Sequence, residues 1–267
     1  MADSRVAFLG LGAMGGPMAR RLLDGGYRVA SCVNRRRDPI EALLPHGLAE
    51  AASPREAAQG AAAVLTMVRD AAETRSVLDG GTGALAGLSS GATVIVMSTI
   101  DPDFSRNLAR EVAPRGIDVI DCPVSGFPFK AAEGTLALMA GGSKDSIERH
   151  RPMLERMGRI FHCGDVGMGT VAKLANNLMA VGTNRLLTEA IAFAGAYGLA
   201  QDALLEIMKS ASGDSFIVRN WPAIETMREH VLQMGRKDVK LYLDAAGGKP
   251  VATTLADATV GSIDKDG

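Results

Sequence analysis

The chain has 267 residues, of which 47% are hydrophobic and 22% charged, and its formal net charge is −1. This composition indicates a soluble globular protein long enough for two domains, and it excludes extended disorder and collagen-like structure. A net charge this small excludes the broad positive field that binds nucleic acids or anionic membranes. We therefore expect neither nucleic acid nor membrane as a partner.

The cysteines indicate neither a disulfide framework nor a metal site. There are three, an odd number, at positions 32, 122 and 163, without CxxC spacing. The histidines, aspartates and glutamates form no metal-binding cluster, so no metal is expected. Met1 is followed almost directly by the first apolar run, which leaves no space for a secretory leader. A reducing cytoplasm is the expected location.

The N-terminal part predicts a doubly wound parallel sheet. Short apolar runs alternate with alanine-rich helical segments up to about Ile160, which is typical of a Rossmann-type α/β domain. Their near-continuous hydrophobicity indicates strands covered on both faces. The predicted strands are Arg5–Gly10, Tyr27–Asn34, Ala63–Val68, Thr93–Met97, Asp118–Pro123 and Thr135–Ala140.

The C-terminal part predicts only helices. A long helix over Gly169–Leu199 is expected to join a dinucleotide-binding domain (1–164) to an all-α domain (165–267) for substrate binding and dimerisation. After the long helix, further helices are predicted over Ala203–Ala211, Trp221–Glu229 and Arg236–Ala246. The tail after Gly247 is weakly patterned, and no helix is predicted over it.

A glycine-rich turn follows the first predicted strand. Its residues are Gly10, Leu11, Gly12, Ala13, Met14 and Gly15. This G-x-G-x-x-G pattern is weak alone, but here it lies between an apolar strand and a helix. Its glycines allow a tight turn and the close approach of backbone N–H groups to a pyrophosphate. The alternative is a strand–helix turn without a ligand.

The end of the second predicted strand favours NADP(H) over NAD(H). An NAD-binding chain usually has Asp or Glu here to accept from the ribose hydroxyls. This chain has Asn34, followed by Arg35, Arg36 and Arg37. An amide and guanidinium groups can bind a 2′-phosphate that a carboxylate would repel. The alternative is that these arginines form only a solvated turn.

Two further segments can supply polar groups to a substrate. Ser125 and the N–H groups around Gly126 follow a predicted strand and can bind a carboxylate. Lys173 and Asn177 are four residues apart, and hence on one face of the long helix. A desolvated amine there can donate a proton to a developing alkoxide. Without further context, both are more often solvated groups on a helix surface.

Four motifs in this order resemble the β-hydroxyacid dehydrogenases, the family of 3-hydroxyisobutyrate dehydrogenases and semialdehyde reductases. The resemblance extends from about Val6 to Asp244. The motifs are the glycine-rich turn with Met18-Ala19, Asp121-Cys122-Pro123-Val124-Ser125-Gly126 with Ala131 and Gly134-Thr135-Leu136, Gly167-Met168-Gly169 with Lys173 and Asn177, and Lys237-Asp238-Val239. The resemblance implies reversible hydride transfer between a nicotinamide cofactor and a small hydroxy acid or aldehydo-acid.

The resemblance also implies roles for individual residues. Lys173 matches the catalytic acid/base, and Asn177 matches the asparagine that orients the substrate. Ser125 and Gly126 match the loop that binds the substrate carboxylate. Thr99 matches a threonine near nicotinamide and substrate. Met67 and Val68 match a loop along the cofactor, while Lys237 and Asp238 match a pair that closes over the cleft from the helical domain.

Phe127, Pro128 and Phe129 depart from the family, which usually reads Ser-Gly-Gly where this chain has Ser125-Gly126-Phe127. Either this loop is stiffened with its rings facing away, or the pocket is reshaped.

Two other functions remain open at this point. They are an imine reductase of the same fold, which typically lacks the lysine matched by Lys173, and a non-catalytic dinucleotide-binding module. Small residues at positions 192 and 194–196 of the long helix predict close packing with a second copy, as a dimer or tetramer.

Overall fold

The computed structural model describes residues 4 to 266. The chain forms two compact units, Met1–Lys173 and Leu174–Gly267. The boundary between these units lies within the predicted long helix, which runs continuously from the first unit into the second as Met168–Ala196. The functional domain boundary near Asp165 stays a prediction.

The first unit contains the sheet. Its strands are β1 (Arg5–Leu9), β2 (Arg28–Cys32), β3 (Ala49–Ala51), β4 (Ala63–Thr66), β5 (Thr93–Val96), β6 (Asp118–Asp121), β7 (Val124–Ser125), β8 (Leu136–Gly141) and β9 (Gly158–Gly164). The strand order is β3-β2-β1-β4-β5-β6-β8-β7, and β9 pairs with β8. The first six strands are all parallel. The carboxyl ends of these strands therefore lie at one edge of the sheet.

Helices connect the strands and then form the second unit. In the first unit they are α1 (Gly15–Asp24), α2 (Asp38–Leu43), α3 (Pro54–Ala58), α4 (Ala71–Leu78), α5 (Pro102–Val112), α6 (Phe127–Glu133) and α7 (Lys144–Leu154). The long helix is α8. After it come α9 (Gln201–Ser210), α10 (Phe216–Arg219), α11 (Trp221–Glu225), α12 (Arg228–Ala246) and α13 (Thr254–Asp266). None of the helices among residues 4 to 266 combines the length and hydropathy needed to cross a bilayer.

The core of the first unit has two layers because successive side chains of a strand point to opposite faces. Phe8 of β1 packs with Met18 of α1 in one cluster. Its neighbour Leu9 packs with Leu78 of α4 and Leu108 of α5 in the other. Helices therefore cover both faces of the sheet, which confirms the predicted doubly wound α/β class.

The side of the sheet that contains β6, β8, β7 and β9 is mixed, a detail that the predicted doubly wound parallel sheet did not include. β8 is antiparallel to both β6 and β7, and β9 is parallel to β8. β6 and β7 thus run in the same direction, with only Cys122 and Pro123 between them. β7 therefore extends the path of β6 at the carboxyl edge.

A helix, α13, forms in the tail after Gly247, where the sequence pattern predicted none. α13 is held in the second unit by Ala256 and Ile263, which are seven residues apart and both buried. The Arg185 guanidinium donates from Nε to Ser262 Oγ at 3.1 Å, and Arg236 pairs with Asp264. The sequence pattern was weak because Thr, Asp and Ser separate the few apolar residues, and tertiary contacts supply the missing stability.

Candidate active site

The glycine-rich turn joins β1 to α1 in a conformation that requires glycine at two positions. Gly10 has φ +99°, and a Cβ there would lie 2.3 Å from the Met67 carbonyl oxygen. A Cβ on Gly15 would lie 1.9 Å from the Gly10 carbonyl oxygen. Both glycines are therefore needed for the turn itself.

Gly12 differs from its neighbours because a Cβ there would meet no described atom within 4 Å. The fold does not require glycine at this position, so the open space is available to something outside the chain. The next helix, α1, begins at Gly15 without a side-chain cap from Met14 and without an acidic residue in its first turn. Its backbone N–H groups and positive dipole end therefore suit a pyrophosphate, and the residues fit a dinucleotide.

Beside this turn, hydrogen bonds connect the carboxyl ends of three adjacent parallel strands, β1, β4 and β5. The Met67 N–H donates to the Leu9 carbonyl oxygen at 2.8 Å. The Val68 N–H donates to the buried Ser98 Oγ at 3.0 Å. Thr99 follows Ser98 in the same loop. The structure thus places the predicted residues Met67, Val68 and Thr99 at the carboxyl edge of the sheet, where ligands bind in doubly wound folds.

Asn34 and the three arginines form an exposed turn after β2. Each arginine pairs with a carboxylate: Arg35 with Glu73, Arg36 with Asp38, and Arg37 with both Glu41 and Glu50. All three arginine side chains are more than half exposed, so each pair contributes little to stability and another anion can replace the carboxylate.

Asp121 is the residue of this region whose role sequence reasoning missed. Its carboxyl is fully buried at the end of β6, and it accepts hydrogen bonds from the N–H groups of Gly167 at 2.6 Å and Thr170 at 2.7 Å. Burial raises the pKa of the Asp121 carboxyl, and the backbone donors from Gly167 and Thr170 oppose that rise. Asp121 therefore caps the start of α8, the helix that carries Lys173.

Two glycines allow α8 to begin this close to the sheet. A Cβ on Gly141 would lie 2.4 Å from Asp121 Oδ1, and a Cβ on Gly169 would lie 2.2 Å from the Met139 carbonyl oxygen. Any larger residue would push the first turn of α8 away from β8. An acidic residue that ends an apolar strand is the sequence signal that could have revealed this contact.

Ser125 is the last residue of β7, and Gly126 leads into α6 with φ +146°. A Cβ on Gly126 would lie 2.9 Å from both Lys130 Cβ and Lys130 Cδ, and 3.0 Å from Leu136 Cδ2. The turn after Ser125 is therefore fixed by packing at the same sheet edge as the cofactor loops.

Lys173 and Asn177 lie one turn apart on α8, and both are 8% exposed. A lysine and an asparagine on a helix surface are usually solvated, so the burial of both side chains distinguishes them from ordinary surface residues. In the second unit, Asn177 Nδ2 donates to Asp238 Oδ2 at 2.6 Å, and Lys237 Nζ lies 3.1 Å from Asp238 Oδ1. The structure thus joins Asn177, Asp238 and Lys237, three residues that the motifs singled out.

Comparison with known proteins gives the family. Residues 5–169 match the family model for the NAD binding domain of 6-phosphogluconate dehydrogenase, and residues 167–263 match the model described as NAD-binding of NADP-dependent 3-hydroxyisobutyrate dehydrogenase.

Curated relatives and a solved structure agree with these matches. An NAD-dependent L-serine dehydrogenase of Pseudomonas aeruginosa is 34% identical, with 94% of this chain and 88% of the relative covered. A 3-sulfolactaldehyde reductase of Escherichia coli is also 34% identical, with 95% and 87% covered. The structure of Mycobacterium tuberculosis 3-hydroxyisobutyrate dehydrogenase with L-serine superposes with a TM-score of 0.86 at 29% identity, with 99% of this chain and 94% of that chain covered. The chain therefore belongs to the β-hydroxyacid dehydrogenase family and is an NAD(P)-dependent oxidoreductase that acts on small hydroxy acids or their aldehydes.

Proposed function

We propose that the protein reversibly reduces the carbonyl carbon of a small aldehydo-acid with NADP(H), and that Lys173 is the general acid/base. The observation that carries this proposal is the burial of Lys173 and Asn177 on one face of a helix whose start is fixed by Asp121. The test is NADPH consumption with glyoxylate, succinic semialdehyde, tartronate semialdehyde and methylmalonate semialdehyde. Turnover of none of these acids would count against the proposal.

The cofactor, when bound, supplies or accepts the hydride at nicotinamide C4. The residues proposed to hold it are Gly10, Leu11, Gly12, Ala13, Met14, Gly15, Asn34, Arg35, Arg36, Met67, Val68, Thr99 and Lys237. The open space beside Gly12 and the uncapped start of α1 support this assignment for the pyrophosphate.

Lys173 would give its proton from Nζ to the substrate oxygen during reduction and take it back during oxidation. Burial of Lys173 excludes water that would otherwise compete for this proton. Asn177 would bind either the reacting oxygen of the substrate or the substrate carboxylate. The hydrogen bond from Asn177 to Asp238 supports a fixed amide orientation for that task.

Ser125, Gly126, Thr99 and Asp238 are proposed to complete the substrate site. The Ser125 hydroxyl and the N–H groups around Gly126 are donors, and donors suit the carboxylate of the acid. The packed turn at Gly126 supports this role because it keeps these donors in place without the substrate.

Replacing Gly12 by alanine tests the cofactor site without disturbing the fold. Because a Cβ at this position meets no described atom within 4 Å, we expect an unchanged Tm. We expect the Kd for NADPH, measured by fluorescence titration, to rise about tenfold or more, equivalent to a loss of about 1.4 kcal/mol.

Gly81→Ala is the matched control, because Gly81 is also open and lacks a positive φ. This control should change neither the Tm nor the Kd for NADPH. Unchanged NADPH affinity in the Gly12 variant would contradict the assignment of this turn.

We propose a preference for NADP(H) because no carboxylate stands at Asn34 and the adjoining arginines are in exchangeable pairs. Asn34→Asp should lower kcat/KM for NADPH about tenfold or more. A repulsion of only about 1.4 kcal/mol between the new carboxylate and the 2′-phosphate is enough for a tenfold loss. The same change should raise kcat/KM for NADH, because the new carboxylate can accept from the ribose hydroxyls.

Asn107→Asp, an identical charge change at an exposed site of α5, is the control and should leave both cofactors unaffected. Equal values of kcat/KM for NADH and NADPH in the wild-type enzyme would contradict the preference.

We also propose a homodimer, or a tetramer built from it, that packs through α8. Met179, Leu186 and Phe193 recur every seven residues, so they form one stripe, and they are 70%, 69% and 68% exposed. A stripe of large apolar side chains at this exposure is unfavourable in a monomer. Light scattering at micromolar concentration should give at least twice the chain mass, and Leu186→Glu should reduce it to one chain. A monomeric wild type would contradict the proposal.

The three cysteines are thiols, two of them buried, which supports a reducing cytoplasmic location as the setting for this function.

A further inference from the structure

An ion pair bridges the two segments on either side of the glycine-rich turn. Arg35, which follows β2, pairs with Glu73 in the first turn of α4, the helix that follows β4. In the sheet, β1 lies between β2 and β4 and is hydrogen-bonded to both. The Arg35–Glu73 pair therefore joins the two segments that flank the end of β1, where the glycine-rich turn begins.

The α4 end of this pair lies close to the glycine-rich turn. A Cβ on Gly10 would lie 2.8 Å from Val68 Cγ1, so the loop that precedes α4 packs directly on the turn. Glu73 is joined to this loop, because its Oε2 accepts from the Arg69 N–H at 2.9 Å. In dinucleotide-binding folds of this type, the ribose that carries the 2′-phosphate of NADP(H) binds beside the end of the second strand. Arg35 and Glu73 thus meet beside the position expected for that phosphate.

Glu73 is held more firmly than Arg35. The Glu73 N–H donates to Asp70 Oδ1 at 2.9 Å, and the Arg69 guanidinium lies 3.7 Å from Glu73 Oε1, in addition to the Arg69 N–H bond. The Glu73 side chain is 17% exposed, whereas that of Arg35 is 59% exposed. A long and largely exposed arginine can turn to a new anion while the anchored carboxylate stays in place.

We infer that Glu73 is a specificity-determining residue for the cofactor, because its carboxylate competes with the 2′-phosphate of NADP(H) for the Arg35 guanidinium. This inference rests on the proposed function. A phosphate monoester carries up to two negative charges and three acceptor oxygens, so it can take the guanidinium from a carboxylate. NAD(H) has a hydroxyl in place of the phosphate and leaves the Arg35–Glu73 pair intact. Glu73 therefore lowers the affinity for NADP(H) but not for NAD(H), and it makes the preference for NADP(H) smaller than Arg35 alone would give.

The test is Glu73→Gln, which removes the charge but keeps an oxygen that can accept from the Arg69 N–H. The Tm should therefore stay within about 2 °C of the wild-type value. Fluorescence titration should show the Kd for NADPH falling about fivefold, the upper end for one exposed charge pair, while the Kd for NADH changes less than about twofold. Calorimetric titration with adenosine 2′,5′-bisphosphate, which lacks the nicotinamide, should show the same gain as NADPH. A damaged site would lose affinity, so a gain specific to the 2′-phosphate is not a result of structural disturbance.

Two further variants control this experiment. Glu111→Gln makes the same change in an exposed pair with Arg75, 2.7 Å apart, and should alter neither Kd. Arg35→Gln removes the guanidinium for which the two anions compete. In that background, Glu73→Gln should change the Kd for NADPH by less than about twofold, because the two residues act on one interaction. A gain that persists in full without Arg35, or an unchanged or raised Kd for NADPH in Glu73→Gln alone, would overturn the inference.

Turnover of the aldehydo-acids distinguishes failure of this inference from failure of the proposed function. If the wild type reduces an acid with NADPH but Glu73→Gln binds NADPH no more tightly, the inference fails and the proposed function stands. If Glu73→Gln binds NADPH more tightly but neither protein reduces any acid, the proposed reaction fails and the competition by Glu73 stands.

Discussion

Replacing Lys173 by methionine is expected to lower kcat by about 100-fold to 10,000-fold, the range of general acid–base catalysis. Methionine keeps the length and apolar volume of a side chain that is 8% exposed, so the fold should tolerate it. The loss should appear in kcat with an unchanged Kd for NADPH, because the amine acts on the reacting oxygen. Steady-state kinetics and fluorescence titration measure the two quantities.

Two controls sharpen this experiment. Lys173→Arg keeps the charge but supplies a guanidinium that does not release its proton at neutral pH, so it should be nearly as inactive. Lys144→Met makes the same change at an exposed position at the start of α7 and should have no effect. A methionine variant of Lys173 that retains more than a tenth of wild-type kcat would exclude the acid/base role.

Asp121→Ala should be the most destabilising single change in the site. It leaves the buried N–H groups of Gly167 and Thr170 without their acceptor. Each orphaned donor costs about 1 to 3 kcal/mol, so we expect about 4 kcal/mol in total. At roughly 2 to 4 °C per kcal/mol in a chain of this size, the Tm should fall by roughly 10 °C.

The same variant should also lose kcat when it is assayed well below its Tm. Lys173 is three residues beyond Thr170, so release of the first turn of α8 displaces the amine. Asp145→Ala, at an exposed first-turn position of α7, is the control for removing a carboxylate near a helix start. An Asp121 variant with wild-type Tm would show that this contact does not anchor α8.

The strands that the sequence predicted are those with a strong physical signal. β4 and β5 consist of apolar or β-branched residues buried on both faces, as does β1 after Arg5, and each of the three begins where it was predicted. β3 has three residues, two of them alanine, and β7 has two residues, so neither carries a periodic pattern. Such short strands form because a longer neighbouring strand offers unpaired backbone groups, and no pattern within the short strand itself records that neighbour.

The second unit shows how tertiary contacts shift helix ends. The predicted helix from Arg236 begins at Arg228, although Gly235 lies within it. Glycine is unfavourable in a helix, but here a Cβ would lie 3.0 Å from Val181 Cγ2, a tight contact that favours glycine where α12 packs on α8. Propensity alone predicts a boundary at this glycine.

The candidate site likewise contains residues that the sequence identifies and contacts that it does not. The glycine-rich turn, Ser125, Lys173 and Asn177 are identifiable from spacing and residue type, because the turn and the helix face are local. The capping of α8 by Asp121 and the pairing of Asn177 with Asp238 join residues 46 to 61 positions apart. A local pattern can mark Asp121 as a candidate, but it does not determine the partners in either contact, which only the folded chain reveals.

The most direct test of the central claim is NADPH oxidation by the purified wild-type protein with the panel of small aldehydo-acids, followed by absorbance and repeated with NADH. The proposal predicts turnover of at least one acid, faster with NADPH than with NADH, and its loss in Lys173→Met. Tight NADPH binding without turnover of any acid would contradict it and would favour a dinucleotide-binding role without this chemistry.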